Sequence, residues 1–424
     1  MSATTAHRPY SPQRRGAGAA EALRLPPGFS VSSLLDPERA ETVERWLKSS
    51  PDHTLYHLRP YIDFLRRAHR APADLLLVAR EGNPLFALPV HSLDATGLDG
   101  GYSGVVFPAT GSEGPLRRAV DALLALLDAN RGILFHLTQS TQAPAYDDRA
   151  RVTLLQALFE DRGLSLERVY GRLCDLDRLP APEQIPVAPG RYGGALQIDP
   201  DWLTGEALDA YDPDARNQIR QALRRGLRVE YVHAGGSPAR TGAADEPTPI
   251  AAAYERFQPV HEQSWTRTGL LPKPHGYLPA LGDAVTASGG EDLVVLVLDR
   301  DGEPLAGVLC HAYRSRAIYW SGCSTVGGLR LRANPLCLHG AIAACRKQGV
   351  STFELGRFRA GETSPKQRDV ARYKAQFGGY LVRVTAFSST PHALARARTA
   401  QARAIEEGKR RLSVALGRAR AKRG

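Results

Sequence analysis

The sequence predicts an α/β protein (α+β in layout) in which mixed sheets are flanked by helices and the chain forms two halves of similar order. Its 424 residues are too many for one ordinary core and suit two domains. In both halves a β-hairpin is followed by a helix and then by another strand, which indicates a duplicated domain. The predicted divisions are a flexible leader (1–26), a first domain (27–195), a second domain (196–390) and a basic C-terminal helix (391–424).

The first half begins with two β-like runs in "ADLLLVAREGNPLFALPVHSL", joined by a turn at Glu81-Gly82-Asn83. A helix is predicted in "GPLRRAVDALLALLDANRG", where Leu and Ala recur at helical spacing. A strand in "ILFHLT", a helix in "RVTLLQALFEDRG" and a strand in "LSLERVY" follow. The Pro-rich "LPAPEQIPVAPGRYGG" then interrupts the pattern and predicts a linker or a long loop.

The second half restarts with a helix in "DPDARNQIRQALRRGLRVEYV", which Asp212 or Asp214 can cap and Gly226 can end. Another helix is predicted in "PIAAAYERFQPVHEQSWTR". Three β runs with turns at Asp301-Gly302 and Arg314-Ser315 then predict an antiparallel meander. The last elements are a helix in "ANPLCLHGAIAACRKQG" and a strand in "STFELGRF".

The charge of the chain is concentrated at its C-terminus. The formal net charge is +11, and residues 393–424 contribute ten basic residues against two acidic ones. This tail is Ala-rich and poor in Gly and Pro, so it predicts a helix with only a narrow apolar stripe. It is either an exposed helix in solvent or a surface that contacts a phosphate backbone. The basic residues assigned to the second alternative are Arg410, Arg411, Arg418 and Arg420.

Cysteine and histidine spacing give no support to a disulfide framework or a metal site. The five cysteines are scattered without a C-x-x-C, so we expect buried thiols. His53 and His57 are four residues apart, but no Glu lies between them as in H-E-x-x-H, which favours histidines that are either satisfied by the protein or at its surface. No stretch approaches the roughly 20 apolar residues of a membrane span. We expect a cytoplasmic protein without a membrane span.

Five short motifs occur in order along the second half. They are "RNQIRQALRRG", "SWTRTG", "YWSGCS", "FELGR" and "YKAQFGG". With this order and spacing, residues 200 to 390 resemble the C-terminal domain of the Fem family of aminoacyl-tRNA-dependent peptidyltransferases. The resemblance implies two tandem GNAT-like domains and an aminoacyltransferase acting on an amine of a small-molecule or peptide acceptor, such as a cell-wall precursor or an antibiotic intermediate. It implies aminoacyl-tRNA as the co-substrate and no other cofactor.

The resemblance also implies two cations in a cleft, Lys374 of "YKAQFGG" and Arg267 of "SWTRTG". By its chemistry, a lysine at the mouth of a cleft can bind a phosphate or stabilise an oxyanion. The alternatives are a surface lysine on an exposed helix and a salt-bridged arginine on a helix surface.

Four more residues complete the predicted site. Tyr319 can donate a hydrogen bond to substrate or pack in the sheet, and Trp320 on the opposite face is better suited to packing. Glu354 and Arg357 flank a strand end, where they either form a structural ion pair or position the amine and the acyl group. The predicted catalytic residues are Lys374 and Glu354, and the predicted substrate-binding residues are Arg267, Tyr319, Arg357 and Tyr373.

Two other functions remain open. The first is an acyl-CoA-dependent N-acyltransferase on the same fold. Its pyrophosphate loop would correspond to "STVGGLRLRANP", which has glycines but lacks the (Q/R)-x-x-G-x-(G/A) pattern. The second is a nucleic-acid-binding protein that kept the fold without catalysis. Sensitivity of the activity to RNase separates the tRNA-dependent enzyme from the CoA-dependent one.

Overall fold

The structure is a computed structural model that describes residues 23–69, 73–91, 104–110, 112–130, 136–138, 148–162, 169–179, 184–186, 196–198, 203, 205–235, 249–359, 365–384 and 386–388. These residues form mixed α/β layers, so the predicted fold class is confirmed. The predicted basic C-terminal helix, with Arg410, Arg411, Arg418 and Arg420, lies outside the described residues. Among the helices that are described, none is long and apolar enough to cross a membrane.

The strands are β1 (Phe29–Ser33), β2 (Ala73–Arg80), β3 (Asn83–His91), β4 (His136–Thr138), β5 (Val169–Asp175), β6 (Gln184–Pro186), β7 (Leu196–Ile198), β8 (Arg228–Gly235), β9 (Glu291–Leu298), β10 (Pro304–Tyr313), β11 (Arg316–Ser324), β12 (Thr352–Arg359), β13 (Tyr380–Val384) and β14 (Ala386–Ser388). The α-helices are α1 (Ala40–Ser49), α2 (Arg59–His69), α3 (Glu113–Ala129), α4 (Arg149–Asp161), α5 (Pro213–Arg224), α6 (Pro249–Arg267), α7 (Tyr277–Ala287), α8 (Val326–Leu331), α9 (Ala333–Lys347) and α10 (Pro365–Ala375).

A nine-stranded sheet in the order β13-β5-β12-β11-β10-β9-β8-β7-β6 forms the centre of the described structure. The predicted meander is confirmed, since β9, β10 and β11 pair antiparallel in sequence order. β12 then pairs parallel to β11, because α9 carries the chain back across the sheet between them. A three-stranded sheet in the order β1-β2-β3 belongs to the first half.

The two halves exchange strands. β5, from the first half, lies between β12 and β13 and is antiparallel to both. In return, β14, near the end of the second half, pairs with β4 of the first half. Of the strand predicted in "LSLERVY", only Val169 and Tyr170 are described, and both belong to β5; the rest lies outside the described residues. Segments on both sides of residue 195 therefore belong to one sheet.

Apolar side chains cover both faces of the central sheet. One face packs against α5 and α9, and α9 is buried over almost its whole length. The opposite face packs against α6 and α7 and continues into the first half through α2 and β2. All five cysteines are buried and free, as the sequence predicted.

Local sequence signals account for the ends of several elements. Asp212 caps α5 by accepting a hydrogen bond from the backbone N–H of Asp214, and Pro213 begins the helix. Gly226 follows that helix with φ of +79°, a left-handed conformation that glycine adopts without strain. The predicted hairpin turn at Glu81 and Gly82 is present between β2 and β3.

Candidate active site

Two neighbouring strands of the central sheet separate, and the gap between them defines the candidate active site. β11 and β12 pair only over Arg316–Ile318 and Thr352–Glu354 within the described residues. Beyond this point β11 stays paired with β10, whereas β12 stays paired with β5. Ligands of open α/β sheets bind at the carboxyl ends of parallel strands, where such a crevice opens.

Both strands carry a register irregularity at the level where they separate. In β11, Tyr319 pairs with Cys310 and Ser321 with Leu309, so Trp320 is one extra residue. In β12, Glu354 pairs with Leu173 and Gly356 with Arg172, so Leu355 is one extra residue. Bulges of this kind redirect side chains and are frequent beside active sites.

Lys374 reaches into this gap from the last turn of α10. Its Nζ lies 4.5 Å from the centroid of the Tyr319 ring, on β11. On the β12 side, a β-carbon added to Gly356 would lie 2.5 Å from the same Nζ. Lys374 is partly buried although α10 has no buried residue. Burial lowers the pKa of Lys374 to about 8, and the Glu354 carboxylate opposes this shift.

Glu354 lies on β12 beneath this lysine. Its Oε1 accepts a hydrogen bond from Nε of Arg357 at 3.2 Å, and the residue is 2% exposed. Its Oε2 has no hydrogen-bond partner among the described residues. Burial raises the pKa of Glu354, while the charges of Arg357, Lys374 and Arg316 act in the opposite direction. The predicted ion pair between Glu354 and Arg357 is thus present, and Oε2 of Glu354 takes no part in it.

Tyr319 and Tyr373 form the wall on one side of the gap. Both pack against the apolar face that α5 and α9 cover, and Tyr373 contacts Phe377 edge-on with ring centroids 5.5 Å apart. Gly322 makes room for the Tyr319 hydroxyl, since a β-carbon there would overlap it. Burial raises the pKa of both tyrosines, which therefore remain protonated hydrogen-bond donors.

Trp320, the bulge residue, packs on the opposite face of the sheet, as the sequence predicted. Its ring centroid lies 4.9 Å from that of His311.

Arg267 lies at the far end of β11 rather than beside Lys374. Its Nη2 is 3.4 Å from the backbone oxygen of Ser324, the last residue of the strand. Ser324 is five residues beyond Tyr319, or roughly 16 Å at the rise of a strand. Arg267 is exposed and forms no ion pair with a described residue. The structure therefore places the two predicted cations at opposite ends of one strand segment.

A short helical turn follows that strand end. Thr325 caps α8 by accepting a hydrogen bond from the N–H of Gly328 at 2.8 Å. Gly328 has to be glycine, because a β-carbon would lie 2.2 Å from the backbone oxygen of Leu305. This is the stretch that corresponds to a pyrophosphate loop in the sequence.

The histidine pair is satisfied by the protein, which is one of the two alternatives that the sequence left open. The Nδ1 of His53 lies 2.7 Å from the oxygen of Ser50, and the Nε2 of His57 lies 2.9 Å from the oxygen of Gly104. Both histidines are buried. Within the part of the chain that the structure describes, no group of three or more His, Cys, Asp or Glu residues could hold a metal ion.

A buried polar cluster on the face opposite Tyr319 was missed by the sequence analysis. The Tyr254 hydroxyl donates to Oδ2 of Asp292 at 2.5 Å, and Oδ1 of Asp292 lies 3.6 Å from Nε2 of His311. Burial raises the pKa of Asp292 to about 7 and lowers that of His311 to about 3. The available signal was two polar residues, Asp292 and His311, inside otherwise apolar strand segments.

A family model described as an acetyltransferase (GNAT) domain matches residues 213–375. These residues carry the GNAT acyltransferase fold. The match begins with α5 and ends with α10, so it includes the separated strands and Lys374. No curated protein matches the sequence.

Three solved structures share the layout at low identity. FemX is 14% identical with a TM-score of 0.47, and the match covers 84% of this chain and 96% of FemX. L-PGS from Bacillus licheniformis is 12% identical with a TM-score of 0.43, covering 90% of this chain and 97% of the other. A tandem GNAT protein from the clavulanic acid biosynthesis pathway is 11% identical with a TM-score of 0.41, covering 86% and 99%.

Proposed function

We propose that this protein transfers an aminoacyl group from a charged tRNA to an amine of a small-molecule or peptide acceptor. The observation that carries the proposal is the Lys374 ammonium, held between the Tyr319 ring and Gly356 where β11 and β12 separate. A partly buried, fixed cation is suited to an oxyanion that develops during acyl transfer. At neutral pH the lysine is mostly protonated, because its pKa is about 8.

In the proposed reaction, the acceptor amine attacks the ester carbonyl of the aminoacyl-tRNA. A C–N bond forms, the ester C–O bond breaks, and the ribose oxygen leaves as a hydroxyl group. The ester is already activated, so the protein contributes positioning and charge rather than a covalent nucleophile. The Lys374 ammonium stabilises the negative charge on the carbonyl oxygen more strongly in the transition state than in the ground state.

Glu354 is the proposed proton acceptor. The attacking amine must lose a proton, and Oε2 of Glu354 is a buried carboxyl oxygen without a hydrogen-bond partner among the described residues. Because burial raises its pKa, Glu354 is a stronger base than an exposed carboxylate. Arg357 holds the carboxyl group in place through Oε1. The proton then passes to the leaving ribose oxygen.

The remaining predicted residues are assigned to substrate binding. Tyr319 and Tyr373 line the gap, where they offer protonated hydroxyl groups. Arg267, at the end of β11, is assigned to a phosphate of the donor, since its guanidinium is exposed and forms no ion pair with a described residue.

A second candidate function is acyl transfer from CoA. It is favoured by the turn after β11, where Thr325 begins α8 and two glycines follow, and by the description of the matching family model as an acetyltransferase domain. In that reaction a thioester replaces the tRNA ester, and the same lysine and glutamate would act on it.

Incubation of the purified protein with cell extract, ATP, total tRNA and one radiolabelled amino acid at a time tests the proposal. We expect one amino acid to appear in an amide-linked product, and RNase treatment should abolish its formation. Extract incubated without the purified protein serves as the control for background. Label transfer from acetyl-CoA that resists RNase, with no product from any amino acid, would establish the CoA-dependent function instead.

A further inference from the structure

A group of exposed arginines on the folded core forms no ion pair with any described residue. They are Arg224, Arg225, Arg228, Arg300, Arg330 and Arg332, here called the basic ridge. Exposed arginines elsewhere are commonly neutralised on their own helix, for example Arg45 by Glu41 and Arg372 by Asp369. An unpaired cluster of guanidinium groups repels itself unless an anionic partner binds it.

Contacts within the protein hold the ridge together although its members come from different elements. Nη1 of Arg225, at the end of α5, donates to the backbone oxygen of Arg330 in α8 at 2.9 Å. The Arg300 side chain lies against Gly226, since a β-carbon there would be 2.5 Å from its Nε. Arg228 approaches Gly302 in the same turn between β9 and β10. These contacts bring Arg225, Arg228, Arg300 and Arg330 together, and Arg224 and Arg332 are near neighbours of this group in sequence.

The acidic residues beside the ridge are Asp299, Asp301 and Glu303, all in the turn between β9 and β10. Oδ1 of Asp299 already accepts hydrogen bonds from the N–H groups of Asp301 and Glu303. The ridge thus has six guanidinium groups and three neighbouring carboxylates. The last turn of α5 and the whole of α8 contain no acidic residue. The net charge of the surface is positive.

The ridge is connected to the candidate active site by β11. α8, which carries Arg330, begins directly after that strand, and Tyr319 lies six residues before Thr325. At the rise of a strand this separation is roughly 20 Å. A polyanion bound on the ridge would therefore need an extended end, lying along β11, to reach Lys374. Arg267 lies beside this path, at Ser324.

We infer that the basic ridge binds the phosphate backbone of an RNA whose reactive 3′ end extends along β11 to Lys374. This inference rests on the proposed function and places donor binding on the folded core. Planar guanidinium groups suit phosphate contacts, which position a nucleic acid without reading its sequence. Binding to an anionic membrane would need a larger set of inserted apolar side chains than the two exposed ones described beside the ridge, Val326 and Leu329 of α8. We therefore favour RNA as the partner.

Binding of deacylated total tRNA to the full-length protein tests the ridge. We expect Arg224→Ala/Arg225→Ala/Arg330→Ala to weaken binding about 10- to 100-fold at low salt and to reduce the salt slope by about 1 for each lost phosphate contact. The lysine triple at the same positions keeps the charge and should retain most of the affinity. The control Arg45→Ala/Arg66→Ala/Arg117→Ala removes equal charge from the first half and should leave the salt slope unchanged.

The outcomes separate this inference from the proposed function, because deacylated tRNA binding does not depend on transfer. Equal losses in the ridge and control triples would overturn the ridge assignment and leave the transfer reaction standing. Ridge-dependent binding by a protein that transfers no amino acid would support the ridge and reject the function. Ridge-dependent binding to vesicles containing anionic phospholipid, with tRNA affinity unchanged by the substitutions, would assign the ridge to a membrane and overturn the inference.

Discussion

The Nζ of Lys374 occupies the space that a side chain at residue 356 would fill. A β-carbon on Gly356 would lie 2.5 Å from this nitrogen, and the Tyr319 ring lies 4.5 Å from it on the other strand. Gly356 also has φ of +111°, where residues with a side chain are strained. One glycine therefore allows both the bend of β12 and the position of the lysine.

Gly356→Ala should displace the lysine as well as strain the backbone. We expect a loss of about 1 kcal/mol in the free energy of unfolding and a roughly 10- to 100-fold drop in turnover, because small displacements of catalytic groups are costly. Gly349→Ala is the matched control, since Gly349 has φ of +80° and no atom within 4 Å of an added β-carbon. It should lose similar stability but no activity. Equal turnover in the two variants would show that the contact with Lys374 is unimportant.

Replacement of Lys374 separates a role in the transition state from a role in binding. If the ammonium stabilises the oxyanion, Lys374→Ala should lower kcat on the order of 10²- to 10³-fold. If it only binds a substrate phosphate, KM should rise and Lys374→Arg should rescue partly. Arg372→Ala, on the exposed side of the same helix, is the control for loss of charge. Wild-type kcat and KM in Lys374→Ala would make it a surface lysine.

The rate should fall as the pH rises through about 8. The pKa of Lys374 is lowered from 10.5 to about 8, so its ammonium is lost above pH 8, where an ordinary lysine is still charged. A pH profile of kcat/KM reports this group in the free enzyme. In Lys374→Arg the guanidinium stays charged, so the descending limb should disappear. A wild-type rate that still increases up to pH 10 would contradict a catalytic ammonium.

The sequence predicted the parts of the site that depend on local order. The meander, the helix α9 and the strand β12 were predicted from local patterns, and Lys374, Glu354 and Tyr319 were chosen because their motifs resemble those of a known family. The bulges at Trp320 and Leu355 could not be predicted, because each depends on the register of the neighbouring strand. The position of Arg267 likewise depends on where α6 ends relative to Ser324, which no local pattern specifies.

The buried cluster around Asp292 should make stability depend on pH. Burial raises the pKa of Asp292 to about 7 from 3.8, so the folded state binds this proton more tightly than the unfolded state. Its contribution to stability therefore increases as the pH falls from 7 towards 4 and is lost above 7. The pKa of His311 is lowered from 6.5 to about 3, so this histidine destabilises the fold below about pH 6.5 and opposes the effect of Asp292. Comparison of a variant at Asp292 with wild type separates the two contributions.

Asp292→Asn should remove this dependence, because the amide does not ionise while its oxygen can still accept from Tyr254. We compare the free energy of unfolding of the variant with that of wild type at each pH. The difference should favour the variant by roughly 2 kcal/mol more at pH 8 than at pH 5. Urea denaturation at both pH values measures it. Asp214→Asn, at an exposed aspartate far along the chain from the cluster, should keep the wild-type dependence. A parallel pH response in Asp292→Asn and wild type would contradict the assignment.

Deletion of residues 393–424 tests the tail, which lies outside the described residues. If Arg410, Arg411, Arg418 and Arg420 contact phosphates, truncation should weaken tRNA binding about equally for all sequences and flatten its salt dependence. The thermal unfolding temperature should change little, since the segment has few apolar residues for a core. Unchanged affinity and salt slope would exclude the tail from donor binding.

The position of β5, a strand of the first half within the sheet of the second half, limits how this protein can be shortened. A fragment of residues 213–375 would lack β5, so the edge of β12 that β5 covers would be open to pairing with other chains. During synthesis, β5 is made roughly 180 residues before β12 and roughly 210 residues before β13. The backbone groups of β5 therefore cannot pair with β12 and β13 until nearly the whole chain has been made. We therefore expect the second half to need β5 of the first half for its complete sheet.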